Sequence, residues 1–351
     1  MLGRMPVLLV HTERFVEHET PPGHVERPAR AEVLDVIASR WSARGVEVVP
    51  PRPATRAQLA RVHDEDYLRL IESTRGRSTR LDPDTYTSPA SQEVALLAAG
   101  AAVDAVEHVM SGSHRAAFAL VRPPGHHAER DRAMGFCLYN NIAVAAAHAL
   151  TLNARKVAIV DYDVHHGNGT QHIFETDPRV LYISTHQYPY YPGTGAAEEI
   201  GEGQGRGFTV NLPLEAGAVS EDYQTAFAGV VLPVLRQFEP DLVMISAGFD
   251  AHEDDPLGGM RLTADAFGAM TKELQAVAEE CCRGRIVAVT EGGYDLKAFA
   301  ASLDGAVEAL HAGDGALAEA QWPLSGVPSR RGTASVAHAR SALRPFWQFA
   351  P

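Results

Sequence analysis

Residues 156–168 read KVAIVDYDVHHGN, an apolar run that breaks abruptly into aspartates and histidines. Residues 157–160 carry no polar side chain on either face, as a strand covered by helices on both sides requires. We expect a strand over 156–162 and seven more of the same kind at 6–10, 46–49, 116–121, 179–185, 208–212, 241–247 and 285–290. Between them lie segments of helical period. Val94, Leu97, Ala98, Ala101 and Ala105 form one apolar stripe, and Phe267, Met270, Leu274, Val277 and Cys281 form another. Strand–helix alternation over this length predicts an α/β fold with a mostly parallel sheet and right-handed crossovers.

Four of the runs end in reactive residues. Residues 116–121 lead into Arg122-Pro-Pro-Gly-His126-His127, and the opening stretch into Asp161, Asp163, His165, His166 and Asn168. Residues 241–247 lead to Asp250, and 285–290 to Glu291-Gly-Gly-Tyr294. Ligands of open parallel sheets bind beyond the carboxyl ends of the strands, so one shared site is expected. Asp163 and His165 occupy alternate positions, which on an extended segment point the same way. With Asp250 as third ligand they would hold one metal and leave coordination positions open, the arrangement of a hydrolytic zinc site. His126 and His127 follow a stiff turn; a neutral imidazole suits proton transfer, with Asp161 and Asn168 as orienting acceptors. Tyr294 supplies a phenol for a developing oxyanion.

The net charge of −13 argues against non-specific nucleic-acid binding, although residues 323–351 hold four arginines and no acid. No apolar run is long enough to span a bilayer, and the amino terminus carries no secretory signature. Three cysteines without a CxxC pair exclude a disulfide framework and thiolate zinc fingers, and point to a reducing, cytoplasmic setting. The glycine-rich stretch 193–207 does not open a helix after a strand and reads as a long surface loop rather than a phosphate cradle. One domain over 1–351 is expected, with 323–351 as a basic tail packed through Trp347 and Phe349 or loosely attached.

The motifs RPPGHH (122–127), GFCLYNN (135–141), DYDVHHGNGTQ (161–171), YYPGTG (190–195), SAGFDAHEDDPLGG (246–259) and EGGY (291–294) together resemble the zinc-dependent histone deacetylase family, including acetylpolyamine amidohydrolases. The resemblance implies a three-layer α/β/α fold of arginase–deacetylase type with about eight strands. It implies one zinc on Asp163, His165 and Asp250, His127 as general base and acid, His126 paired with Asp161, and Tyr294 polarising the acyl carbonyl. Phe136, beside Gly135, and Tyr191 would wall a narrow channel for an alkyl-ammonium stem. A potassium ion would sit by Asp161, Asp163, His165, Ser184 and Thr185, and a second by Phe174 and Val180. Arg30, in ERPAR, matches an arginine near an internal product channel. Asn168 stands where one subgroup has aspartate, which leaves His127 without a negative partner; with EGGY this looks like the class II branch. Leu257 stands where polyamine-selective members place glutamate. That favours acetyl-lysine peptides or proteins over acetylpolyamines and other small acetylated amines.

A two-manganese ureohydrolase needs a D-x-H-x-D segment, and residue 167 is glycine where the last aspartate would stand. A non-catalytic acetyl-lysine binder would be expected to have lost a ligand, a histidine or the tyrosine. Neither GxSxG nor HExxH occurs.

Overall fold

Alternate residues of each central strand belong to opposite cores. Val243 and Ile245 pack with one set of helices, and Leu242 and Met244 with the other. The same division separates Ala158 and Val160 from Val157 and Ile159. This explains the uninterrupted apolar runs: neither face of such a strand meets water. The computed structural model describes residues 7–312 and 320–349, so Pro6 of the first expected strand and residues 350–351 of the tail lie outside the described residues. The strands are β1 (Leu8–Val10), β2 (Val48–Val49), β3 (Ala116–Ala119), β4 (Val157–Asp161), β5 (Val180–Gln187), β6 (Thr209–Leu214), β7 (Leu242–Ala247) and β8 (Ile286–Thr290). All eight expected strands are present. They pair in parallel in the order β2-β1-β3-β8-β7-β4-β5-β6. Helices cover both faces, giving the three-layer α/β/α sandwich that was expected.

One layer contains helix Ser91–Met110 and helix Asn141–Ala149. The other contains helix Ala29–Ser42, helix Ala264–Cys282 and helix Leu296–Ala312. Among the described residues no helix is long and apolar enough to cross a membrane. The tail is not loose: helix Arg330–Leu343 buries Ala339 and Leu343, and Trp347 Nε1 donates to Gly207 O at 2.7 Å. Trp347 and Phe349 both pack on the core. The 193–207 stretch is more firmly held than a surface loop: Ala197 and Gly205 are buried, and Glu202 N donates to Glu175 O at 2.7 Å. A small antiparallel pair, Thr79–Arg80 with Tyr86–Thr87, was not expected, because its polar residues give no apolar alternation.

Candidate metal centre and active site

The central strands β3, β8, β7 and β4 are neighbours, so their carboxyl ends open onto one place. Asp161 ends β4 and pairs in register with Ser246 of β7 and Ser184 of β5. The strand stops there, and Asp163 and His165 lie on the bend that follows instead of on an extended segment. They still converge, because Asp163 Oδ1 accepts from His165 N at 2.8 Å and folds the turn back on itself. His165 Nδ1 lies 3.1 Å from Asp163 Oδ1 and 3.1 Å from Asp250 Oδ2. One donor atom from each of the three lies within 4.8 Å of the others, and all three side chains are buried. Val164 N donates to Asp250 Oδ1 and Gly292 N to Asp163 Oδ2, each at 2.9 Å, which fixes both carboxylates. A Cβ at Gly248 or Gly292 would collide with carboxylate oxygens of Asp163 or Asp250, so these loops approach closely only as glycine.

The charges at this point fit a cation. Burial and the neighbouring Asp163 push the Asp250 carboxyl up to about 7. Burial would also raise Asp163, but His126 and His165 outweigh it and hold it below the usual carboxylate range. Asp161 and Glu291 are buried close by, the latter pushed up to about 7 mainly by burial. A dication relieves this crowding of acids, and a set of one imidazole and two carboxylates is a zinc-type donor set. A carboxylate at 167 would not fit, since a Cβ at Gly167 would strike Asp161, Tyr182 and His126, and among the described residues Asp163, His165 and Asp250 are the one cluster that could hold a metal.

His126 Nδ1 lies 3.0 Å from Asp161 Oδ2, and His127 Nδ1 lies 2.7 Å from Asn168 Oδ1, the two partnerships expected. Burial works against protonation of His126, yet Asp163, Asp161 and Glu291 raise it to about 10. His127 is driven the other way, well below an ordinary imidazole. Burial comes first among the causes, with His126 and His165 adding to it, so the lack of a charged partner is not the leading reason. Gly135, at φ +56°, passes so close to His127 that a Cβ would overlap the imidazole, and Phe136 follows at φ +69°. Phe136 meets the Tyr294 ring edge-on at 5.7 Å between centroids, and Tyr191 meets His127 edge-on at 5.1 Å. Tyr190, to which the sequence assigned no role, stacks on His165 at 5.6 Å. Leu257 is half-buried beside Asp255.

The tyrosine loop is held firmly despite its glycines. Asp255 Oδ2 accepts from Tyr294 N at 2.6 Å, and Arg30 donates to Gly293 O at 2.8 Å and to Glu291 O at 2.5 Å. Arg30 is 1% exposed, not a surface charge, and its guanidinium lies 5.0 Å from the Tyr294 ring centre. Glu26 joins it to Arg122, and Glu291 Oε2 accepts from Gly125 N at 2.6 Å and His126 N at 3.1 Å. Glu26, Asp255 and Glu291 were not assigned roles from sequence; an acid inside ERPAR, and one directly after a buried strand, were the available signals.

The chain matches the family model for the histone deacetylase domain over residues 24–310. It belongs to the histone deacetylase family. Among deacetylases of this family, it is 41% identical to histone deacetylase 15 of Arabidopsis thaliana over 97% of this chain and 61% of that protein. It is 40% identical to a probable deacetylase of Archaeoglobus fulgidus over 82% of this chain and 81% of that one. With the human polyamine deacetylase HDAC10 it shares 38% identity over 94% of this chain and 50% of its relative. It thus spans about three fifths of the Arabidopsis protein and half of the human one. The crystal structure of the HDA15 HD domain superposes with a TM-score of 0.90 at 37% identity, covering 98% of this chain and 96% of that one.

Proposed function

We propose that this chain hydrolyses an N-acetyl amide on a lysine-like alkylamine, releasing acetate and the free amine, with zinc held by Asp163, His165 and Asp250. The observation that carries the reading is the buried convergence of those three side chains beside His126, His127 and the Tyr294 loop. Bound zinc would supply a Lewis acid for the acyl oxygen and for a water. His127 Nε2 takes the proton of the attacking water and delivers one to the departing amine. Asn168 accepts from Nδ1 at the other end of that imidazole, while Asp163 and Asp161 keep His126 charged. The Tyr294 hydroxyl donates to the acyl oxygen as negative charge gathers on it. Gly135, Phe136 and Tyr191 wall the entry for an apolar stem, with Leu257 as a further substrate-binding residue.

Leu257 is the reason to favour acetyl-lysine peptides or proteins over acetylpolyamines and other small acetylated amines, since an apolar side chain offers a second ammonium no partner. Structural potassium is part of the same reading. Buried Asp161, Ser184 and Thr185, the last with an Oγ1 lacking a hydrogen-bond partner, support the first site; the second would lie by Phe174 and Val180. The chain is taken as one deacetylase domain, supported by the packing of its tail on the sheet layers. A cytoplasmic setting is supported by three free cysteines. The test is deacylation of an acetyl-lysine peptide, an acetylpolyamine and a small acetylated amine side by side, with zinc content measured on the same protein. Turnover of none of the three by zinc-loaded protein refutes the proposal.

A further inference from the structure

Glu129 is a buried carboxylate, 6% exposed, that the scheme above does not use. Its Oε1 accepts from Asn168 Nδ2 at 2.6 Å and from His172 Nδ1 at 2.8 Å, and Arg132 lies 3.7 Å away. Asn168 therefore stands between Glu129 on one side and the His127 ring on the other, its Nδ2 making a short bond to Glu129 and a longer one, 3.3 Å, to the His127 carbonyl. The two ends of an asparagine amide have nearly the same shape, so only its partners decide which way it points. A carboxylate only accepts hydrogen bonds, so the amide must turn its NH2 toward Glu129 and its oxygen toward His127. That oxygen can only accept, so His127 Nδ1 must carry the ring proton and Nε2 must be bare. We propose that Glu129 is a positioning residue: it sets the orientation of the Asn168 amide and, through it, the tautomer that leaves His127 Nε2 free to take a proton. An aspartate at 168 would need no such help, because its two oxygens are alike. The charge missing from position 168 is supplied one residue further out, where His172, its side chain 36% exposed, connects it to the surface.

The inference rests on His127 as the proton-transfer group, and its test separates the two. We compare the wild type, Glu129→Gln, Glu129→Leu, Asn168→Asp and the Glu129→Leu/Asn168→Asp double variant. The readouts are kcat and KM on an acetyl-lysine peptide and the His127 tautomer by 15N NMR, the signal being assigned by its loss in His127→Phe. Glu129→Leu should lower kcat roughly tenfold to a hundredfold with KM within about twofold. Glu129→Gln should recover most of that, because its amide oxygen still accepts. In the Asn168→Asp background the same Glu129→Leu change should cost less than about threefold. Equal losses in both backgrounds, or no loss in either, overturn the proposal. The NMR arm does not depend on turnover. The wild type should show Nδ1–H only and Glu129→Leu a mixture of tautomers; an unchanged tautomer overturns the proposal even where no activity is measurable. If Glu129→Leu does not fold, Glu129→Met is read by the same criteria. A folded, zinc-loaded wild type that deacetylates nothing counts against the proposed reaction instead.

Discussion

Replacing Glu26 by glutamine removes the carboxylate from a charge cluster closed to water. Arg122 grips that carboxylate with Nε at 2.6 Å and Nη2 at 2.9 Å, and Arg30 Nη1 adds a third contact at 3.1 Å. The two guanidiniums are 0% and 1% exposed, and their other partners are backbone carbonyls of Phe15, His18, Glu291 and Gly293. Glutamine keeps the shape but leaves two buried cations uncompensated and turns an NH2 toward a donor. Removing one partner of a buried pair costs about 3–5 kcal/mol, a large share of the roughly 5–15 kcal/mol of a native chain. With a urea slope of about 3 kcal/mol/M, the midpoint of the zinc-loaded protein should fall by about 1–1.7 M. Burial alone would raise the Glu26 carboxyl, but Arg122, His18 and Arg30 hold it far below its ordinary value of 4.5. Its contribution is therefore present above pH 4.5 and fades as the pH falls below it, so the gap between wild type and variant should narrow in acid. Urea titrations followed by tryptophan fluorescence at several pH values measure this. A midpoint loss under about 0.3 M at pH 7 would refute the reasoning, because it would mean the cations are satisfied without the carboxylate.

Tyr294→Phe should lower kcat roughly a hundred- to a thousandfold while zinc content stays at the wild-type level; unchanged turnover removes the phenol from the chemistry. Asp163→Asn should lose both zinc, by elemental analysis, and rate, and full zinc retention contradicts the ligand assignment. Burial lowers His63 and His186 to about 4 each, and Asn140 N donates to His63 Nε2 at 3.0 Å. Because the unfolded imidazole titrates near 6.5, each contributes stability above that pH that is lost between 6.5 and 4, about 3 kcal/mol in full. His63→Gln should show a shallower loss over that interval than the wild type, and parallel curves would refute the assignment.

The sheet was legible because strands buried on both faces leave unbroken apolar runs, and Asp161 after Val160 and Gly248 after Ala247 mark where they end. Strand ends were less clear. β5 continues to Gln187 because His186 and Gln187, polar in sequence, are buried in it. The order of strands was not legible, since nothing in a run of valines names its neighbour. In the site, Asp163, His165, Asp250, His126 and His127 could be read because their residue types already imply a chemistry. Arg30 was singled out only through the family resemblance, and Glu26, Glu129 and Asp255 could not be read, because a charged residue within a polar stretch looks solvated until tertiary packing shows what it holds.

The strand order also governs when this protein becomes competent. β8 is the last strand of the sheet to be made, yet it inserts between β3 and β7, at the middle. A nascent polypeptide that ends before Ile286 presents two unpaired inner edges and lacks the segment whose Gly292 N donates to Asp163. The metal cluster and the groups around it should therefore come together only once β8 and Tyr294 have been made, and fragments that end before Ile286 should be prone to edge-to-edge association until the missing piece is added back.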